Sequence, residues 1–270
     1  NTIGISDPEN IPMVVKLANP LGEDQSIMRT TMIPSLLEVL SRNQNRGLER
    51  CQIFEIGTAF LAKALPLKEL PKEKAILTIG EFGSGLDYYD IKGKVEVLLD
   101  SFGLLKETQF IPHVHPSFHP GRMAAVKLGL QQLGIVGEIH PKVAENYELD
   151  HRVLMAELDF DTILELAKDM GQYKTLPKYP AVTRDLAMVV DKSVLASQIE
   201  GLIYRTGGEL LEKVELFDVY EGSQIPQGYK SMAYALSYRA LDRTLTDEEI
   251  GTLHNRIIKK LEDQMGAKLR

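Results

Sequence analysis

The sequence predicts an α+β protein in which mostly antiparallel sheets carry helices. Strand-like segments outnumber helical ones, and several are joined by connections of hairpin length, which is typical of antiparallel sheets. From Lys178 to Glu249 the elements follow the order strand, helix, strand, strand, helix. That order suits a small split-βαβ sandwich, a fold often used to hold RNA. Between the two parts, Asp169–Pro180 contains glycine and prolines but little apolar periodicity, so we expect a domain boundary there.

In the first part, apolar periodicity predicts a strand at Met13–Asn19 and then a helix over Ser26–Arg46. The regular helix should start near Ile33, because Pro34 fits only in a first turn, and Gly47 is placed to end it. The other predicted strands are Gln52–Leu61, Ala75–Phe82, Thr108–His113, Met123–Leu130, Gln132–Ile139 and Val153–Phe160. The other predicted helices are Asp90–Phe102, Pro141–Tyr147 and Asp161–Lys168. We expect Gln52–Leu61 to be largely buried.

The second part predicts the elements of the sandwich in turn. They are strand Asp185–Val190, helix Leu195–Thr206, strand Leu211–Tyr220, a turn over Glu221–Gly228, strand Ser231–Arg239, helix Asp247–Met265 and a short strand after Gly266. Thr246–Glu249 reads T-D-E-E, the pattern of a capping box with acidic side chains at the positive end of a helix.

The strand Ser231–Arg239 separates its residues into two faces. The expected core face consists of Met232, Tyr234, Leu236 and Tyr238. The other face consists of Ala233, Ala235, Ser237 and Arg239. A flat face of small residues that ends in an arginine can receive a base or a phosphate. The alternative is a face that is simply solvated or covered by another domain.

Charge limits the kind of nucleic-acid binding that is possible. The 270 residues carry a formal net charge of −7, which argues against a general nucleic-acid binder. Residues 1–173 contain 17 Lys and Arg against 24 Asp and Glu, whereas residues 174–270 contain 14 of each. An RNA-binding second part would therefore need a small, shaped patch.

Composition also indicates where the protein works. No apolar run approaches the ~18–20 residues that cross a bilayer, and no secretory signal is recognisable. The only cysteine is Cys51, so a disulfide within the chain is impossible and a reducing cytoplasm is expected. Because the chain starts at Asn1 rather than Met, we expect it to be a fragment of a longer protein.

Other motifs give weaker indications. His113, His115 and His119 lie in PHVHPSFHPGR and could ligate zinc, although a rigid turn explains the same prolines and glycine. The run GEFGSG lacks the Gly-Lys-Ser/Thr of a nucleotide loop. Nothing near Cys51 would activate its thiol.

Two features of the first part could hold a phosphate or a partner. Arg29 and Arg46 flank the first long helix, and an arginine can hold a phosphate by a bidentate contact; a surface or interface role explains them equally. The apolar face from Met32 to Leu40 makes this helix the main candidate for a subunit contact.

Stretches along nearly the whole chain resemble the C-terminal part of the bacterial phenylalanyl-tRNA synthetase β subunit. They are ANPLGEDQSIMRTTMIPSLLEVLSRNQNRG (18–47), CQIFEIGTAF (51–60), LDYYDIKG (86–93), HPSFHPGRMAAV (115–126), LGIVGEIHPKV (133–143), KYPAVTRDLAMVV (178–190), ELFDVYEG (215–222) and RALDRTLTDEEI (239–250). The resemblance implies a class II synthetase-like antiparallel domain without activity over residues 1–172. It implies a ferredoxin-like anticodon-binding domain over residues 173–270.

The resemblance also implies partners and cofactors. In the family, the α subunit activates phenylalanine with ATP and Mg²⁺, two αβ pairs form an α2β2 heterotetramer, and the C-terminal domain of β reads the tRNA(Phe) anticodon. We therefore expect the α subunit and tRNA(Phe) as partners and no membrane. No catalytic residue, cofactor or metal site is expected in this fragment, because editing and magnesium sites would lie upstream of Asn1.

Charge and strand face, rather than the resemblance, select the individual tRNA-binding candidates. The candidate donors to phosphates or base edges are Lys178, Arg184, Arg239 and Arg243. The candidate stacking residues are Tyr179 and Tyr220. Two alternatives remain: an interaction scaffold for the α subunit with little RNA binding of its own, and a metal hydrolase built on the histidines, for which a carboxylate and a general base are missing.

Overall fold

The structure, a computed structural model, describes residues 13–168 and 176–270. These residues form two compact units, each with its own hydrophobic core. The predicted boundary between residues 172 and 173 lies outside the described residues. Both units combine antiparallel sheets with helices, which confirms the α+β prediction.

The first unit is built on a six-stranded antiparallel sheet in the order β1-β2-β6-β5-β4-β3. Its strands are β1 (Cys51–Leu61), β2 (Lys72–Phe82), β3 (Thr108–Pro112), β4 (Phe118–Leu128), β5 (Gln131–Ile139) and β6 (Val153–Asp159). Its helices are α1 (Ile33–Asn45), α2 (Tyr88–Ser101), α3 (Pro141–Asn146) and α4 (Phe160–Leu166). The regular start of α1 near Ile33 and the hairpin between β4 and β5 were both predicted from the sequence.

The helices α1 and α2 cover opposite faces of this sheet. Leu36 and Leu40 of α1 lie against Gly80 of β2, whereas Lys94 of α2 forms an ion pair with Glu81, the next residue. Successive strand residues point to opposite faces, so the sheet is sandwiched between the two helices. The regularly spaced leucines of α1 therefore pack inside the unit, where they are buried.

Three predictions for the first unit were wrong in detail. Met13–Asn19 is not a strand among the described residues; it makes a single antiparallel bridge from Lys16 to Ile27. The strand β1 is not largely buried, because it lies at the edge of the sheet and leaves Phe54 71% exposed. The helix α2 starts at Tyr88, since Asp87 caps it and the predicted cap Asp90 is instead the third residue of the capping box.

The second unit is a four-stranded antiparallel sheet in the order β10-β7-β9-β8, with both long helices packed on one face. Its strands are β7 (Val182–Asp191), β8 (Leu211–Tyr220), β9 (Tyr229–Tyr238) and β10 (Lys268–Leu269). Its helices are α5 (Ala196–Gly207) and α6 (Asp247–Met265). Met232, Tyr234, Leu236 and Tyr238 are buried under the helices, which confirms the predicted core face of β9.

Candidate nucleic-acid interface

The face of the second sheet that turns away from α5 and α6 is flat at its centre. Ala233 of β9 lies beside Ala187 of β7, and Ala235 lies between Asp185 and Glu215. Ala233, Ala235 and Ser237 on this face of β9 are only partly buried. Small side chains in the middle and larger ones around them give a shallow platform of the kind that can receive a base.

Two aromatic side chains stand at one end of the open face, and a third, Phe217, lies near the middle of the edge strand β8. Tyr220 ends β8 and Tyr229 begins β9; they are 39% and 38% exposed. Phe217 is 57% exposed, because a register shift between Leu216 and Asp218 leaves it out of the pairing with β9. Exposed aromatic rings at the edge of a flat sheet are suited to base stacking. We call Phe217, Tyr220 and Tyr229 the aromatic end.

Sequence reasoning found only Tyr220 of these three. Tyr229 shares its alternation with Ala233, so extending the two-residue pattern backwards along β9 would have placed it on the same face. Phe217 could not be found this way, since the register shift is set by the pairing of β8 with β9.

Cations that sequence reasoning missed lie close to the aromatic end. The Lys230 ammonium donates to the Lys192 carbonyl, and Lys192 in turn forms an ion pair with Glu221 at 2.6 Å. Arg270 donates to the side chain of Gln224 at 3.0 Å. These groups come from three separate segments that the fold brings to one end of the sheet.

The predicted arginines lie elsewhere and have acidic partners. Arg184 shares the register of the buried Leu236, so it lies on the helix side, where it pairs with Asp247 at 2.7 Å. Arg243 pairs with Glu249 at 2.7 Å and with Asp242 at 3.1 Å. Both arginines thus belong to the start of α6 rather than to the open face.

Arg239, Tyr179 and Lys178 form a second group. Arg239 donates to the Glu212 carboxylate at 2.9 Å and to the Tyr179 carbonyl, which ties the segment before β7 to the end of β9. Tyr179 is half-buried. Lys178 is exposed and forms no ion pair with another described residue. Its ammonium group could therefore bind a phosphate without first breaking an ion pair.

The structure does not bring all six candidates together. Tyr220 lies beside Ser231 near the start of β9, whereas Arg239 follows its last residue, Tyr238. At about 3.3 Å per residue, Ser231 and Arg239 are separated by roughly 25 Å. The candidates therefore divide into two groups. Tyr220 belongs to the aromatic end, and the others form what we call the arginine end: Lys178, Tyr179, Arg184, Arg239 and Arg243.

The charge of the open face favours stacking over phosphate contact at its centre. Asp185 and Glu215 flank Ala235, and Asp218 lies beside Ala233. Carboxylates repel phosphates, while stacking on an aromatic ring needs no net charge. This agrees with a C-terminal unit whose formal charges cancel.

The histidines and the cysteine offer no comparable site. His115 and His119 use their Nδ1 atoms to accept from the backbone N–H groups of Ser117 and Gly121. Within residues 13–168 and 176–270, no three His, Cys, Asp or Glu side chains are grouped to hold a metal ion. Burial raises the pKa of the Cys51 thiol, which disfavours a nucleophilic role.

Comparison with known protein families gives two matches that together cover most of the chain. The family described as "Phenylalanyl tRNA synthetase beta chain CLM domain" matches residues 6–160. The family described as "Ferredoxin-fold anticodon binding domain" matches residues 177–270. The chain belongs to the phenylalanyl-tRNA synthetase β chain family. Its second unit accordingly has the ferredoxin fold.

Relatives of this β chain family align along almost the entire sequence. "Phenylalanine--tRNA ligase beta subunit" of Clostridium acetobutylicum is 44% identical over 98% of the chain, and that of Clostridium tetani is 44% identical over 95%. The chain spans about a third of the length of these relatives, 33% and 32%.

One solved structure has a weaker likeness to this β chain. Desulfitobacterium hafniense PylSc, a pyrrolysyl tRNA synthetase, aligns with 58% of each chain at a TM-score of 0.45 and 18% identity, which is too little to carry an argument. Separately, no helix among the described residues is long and apolar enough to cross a membrane.

The first unit does not expose the apolar helix face that was predicted to contact a partner subunit. The apolar face of α1 is buried against its own sheet, so it is not available to a partner, and the expectation that α1 makes the subunit contact was wrong in this respect. Phe54 and Ile56 of β1 are among the exposed apolar residues of this unit, and they lie on an edge strand of the sheet. Thr58 and Phe60, further along the same edge, bond to Arg29.

Proposed function

We propose that this chain is part of the β subunit of a phenylalanine–tRNA ligase. Its C-terminal unit binds the anticodon region of tRNA(Phe), and its first unit packs on the α subunit of a cytoplasmic α2β2 heterotetramer. The chain itself is catalytically inactive and supports an aminoacylation for which the whole enzyme uses ATP and Mg²⁺. The observation that carries the proposal is the open, flat sheet face with its aromatic end, in a chain of this family.

The aromatic end contacts the bases of the anticodon loop. Loop bases are unstacked and can be splayed onto side chains, and Phe217, Tyr220 and Tyr229 present exposed rings. Stacking contributes about 1–3 kcal/mol per base. Lys192 and Lys230 lie close enough to this end to contact the flanking phosphates.

The arginine end contacts the phosphates of the stem. Exposed ion pairs contribute little to stability, so the acidic partners of Arg184 and Arg243 can be exchanged for a phosphate at little cost. Lys178 needs no such exchange. Arg239 donates a hydrogen bond to the Tyr179 carbonyl, and it acts mainly by holding Lys178 and Tyr179 in place.

Binding of a tRNA(Phe) transcript to single variants tests the assignment. Tyr220→Ala should weaken binding by roughly 5- to 150-fold, the equivalent of one stacked base. Arg184→Ala and Arg239→Ala should weaken it less and reduce its salt dependence. Tyr89→Ala is the control, since Tyr89 is a tyrosine on α2 of the other unit that is more exposed than Tyr220, and the affinity of this variant for the tRNA should be unchanged.

Two results would remove the assignment. If Tyr220→Ala, Arg184→Ala and Arg239→Ala all bind like the unmodified chain in a filter-binding titration, neither the aromatic end nor the arginines near the end of β9 and the start of α6 hold the RNA. If Tyr89→Ala weakens binding as much as Tyr220→Ala, the loss does not report on the open face.

The contact with the α subunit has its own support. The backbone groups of Thr58 and Phe60 point away from β2, since they bond to Arg29. Phe54 and Ile56 lie four and two residues before Thr58 on the same strand, so their backbone N–H and C=O groups also point away from β2. An exposed strand edge with apolar side chains is a surface that proteins normally cover. We expect Phe54→Asp to abolish co-purification with the α subunit, whereas Leu130→Asp, at an exposed hairpin turn, leaves it intact.

The interaction-scaffold alternative is distinguished by the same two assays. A chain that co-purifies with the α subunit through Phe54 but gives no shift with tRNA(Phe) acts as a scaffold only. The cancelled charges of the C-terminal unit favour this alternative, because non-specific attraction to RNA would be weak.

A further inference from the structure

A buried glutamate in the first unit is held by two arginines. Glu138 of β5 is 8% exposed, and its two carboxylate oxygens both accept from Nη1 of Arg122 at 3.0 Å. Arg152, which directly precedes β6, places its Nε 3.2 Å from the same carboxylate. The three side chains come from β4, β5 and the start of β6, so only the folded sheet assembles them.

One guanidinium is enough to neutralise one carboxylate. The second leaves this cluster with a surplus positive charge in a unit whose formal charge is otherwise negative. A buried carboxylate must keep its partners to offset its desolvation. Glu138 therefore fixes both guanidinium groups in place before any ligand arrives, which reduces the entropy lost on binding.

Both arginines still have donors to offer. Their side chains are 46% and 43% exposed. Beyond Glu138, Arg152 uses Nη1 to bond the Leu86 carbonyl at 3.1 Å. A guanidinium has five N–H donors, and Nε and Nη2 of Arg122 and Nη2 of Arg152 bond no described residue. Each arginine is thus held by one part of its fork and accessible at another.

A third arginine, Arg50, directly precedes β1 and packs against the neighbouring loop. Arg50 lies against Gly83, where a Cβ would come within 3.0 Å of the Arg50 Cγ, and Gly83 is in the loop whose Leu86 carbonyl holds Arg152. The acidic residues of that loop are already engaged, because Asp87 accepts from the Tyr89 N–H and Asp90 from the Asp87 N–H, both at 2.7 Å.

We propose that Arg122 and Arg152 form a binding site for a phosphate group. A phosphate monoester offers three acceptor oxygens and up to two negative charges, which matches two separate guanidinium groups better than the two oxygens of a further carboxylate. A backbone phosphodiester has two non-bridging oxygens and one negative charge, and each oxygen can accept from one of the two arginines. The phosphate belongs either to an RNA backbone or to a small phosphorylated molecule. The site is independent of the anticodon surface proposed above, since it lies wholly in the first unit.

The Arg122 Nε–H resonance of the unmodified chain reports binding directly, without any variant. We expect its ¹H–¹⁵N signal to shift saturably with inorganic phosphate, with a Kd on the order of millimolar, equivalent to about 4 kcal/mol. A tRNA transcript, the second arm, should give the same shift at lower concentration if the physiological source is RNA. Saturation with phosphate but not with tRNA assigns the site to small phosphorylated molecules.

Variants separate this site from general attraction. Arg152→Gln keeps Glu138 neutralised by Arg122. It should raise the Kd for phosphate, read from the shift, roughly tenfold, as expected for one lost charge-assisted hydrogen bond. Arg42→Gln, an exposed arginine of α1, removes the same charge and should leave the shift unchanged. For tRNA, Arg152→Gln should lower the slope of log K against log salt by about one.

Three outcomes would overturn the proposal. The first is the absence of a saturable shift with both ligands. The second is a loss of phosphate affinity in Arg42→Gln equal to that in Arg152→Gln. The third is an unchanged phosphate affinity in a folded Arg152→Gln. Failure here is distinguishable from failure of the anticodon surface, because Tyr220→Ala should not alter the shift produced by inorganic phosphate.

Discussion

At the start of α6, Arg243 and Thr246 control the carboxylate of Glu249. Arg243 donates to Glu249 at 2.7 Å, and Glu249 also accepts from the Thr246 backbone and side chain. These bonds, that of Arg243 first, lower the pKa of Glu249 to about 2. Any stability that Glu249 contributes is present above its ordinary pKa of 4.5 and is lost as the pH falls through about 2.

An NMR titration of the Glu249 side-chain carboxyl measures this directly. We expect a midpoint near pH 2 in the unmodified chain, and a higher midpoint in Arg243→Gln because the charged donor is lost. Arg256→Gln, on the same helix but bonded to the Thr206 carbonyl, should leave the midpoint unchanged. An unaltered titration in Arg243→Gln would show that the cap alone sets this pKa.

At this scale the sequence predicts neighbours in the chain but not partners in space. The capping box of Thr246 and Glu249 was predictable because a helical turn fixes a three-residue spacing. The pairing of Arg184 with Asp247, 63 residues apart, depends on β7 lying beside the start of α6. Choosing arginines by charge therefore selected side chains that the fold had already paired.

At the scale of elements, the hairpin of β4 and β5 leaves no room for a side chain at Gly137. A Cβ there would lie 2.5 Å from the Met123 Cβ and 2.6 Å from the Arg122 carbonyl oxygen. These are backbone-proximal atoms that cannot move aside. We expect Gly137→Ala to destabilise the first unit by about 1–3 kcal/mol, the usual cost of overpacking.

Urea denaturation measures that change, with Gly93→Ala as the control. Gly93 lies within α2, and a Cβ there meets nothing within 4 Å. The control should be neutral or more stable by about 0.5–1 kcal/mol, because alanine loses less backbone entropy in a helix. Equal midpoints for Gly137→Ala and the unmodified chain would mean that β4 and β5 can move apart to accommodate a Cβ at little cost.

Elements were predicted well where periodicity is strong, and poorly where position in the sheet decides. The segment QIFEIGTAFL is apolar on both faces, which is typical of a buried strand, yet it forms the edge strand β1. Helix α1 likewise has no side-chain cap of its own. Its first N–H groups are served by Glu157 of β6, which accepts from Met32 at 2.7 Å, a partner 125 residues away.

At the scale of the whole molecule, each unit has a separate core. Ile257 of α6 is buried among the helices and strands of the second unit, and Leu37 of α1 is buried in the first. Truncating either side chain to alanine should cost about 2–5 kcal/mol in its own unit. Hydrogen exchange followed by mass spectrometry resolves the two units.

We expect Ile257→Ala to speed exchange in residues 176–270 and Leu37→Ala to speed it in residues 13–168. Each variant serves as the control for the other. If either variant speeds exchange equally in both ranges, the two units unfold together rather than separately.

The sequence by itself determined the α+β class, most helices and strands, the core face of β9 and the family of the chain. The family follows from the resemblance of stretches along the chain. The class, the elements and the core face follow from periodicities of two and 3.6 residues and from local capping, which are short-range properties of the backbone. Only the tertiary structure decided that β1 is an edge, that Tyr220 and Arg239 lie at opposite ends of the open face, and that Arg122 and Arg152 share Glu138. Strand order and register bring distant residues together, and no local spacing encodes them.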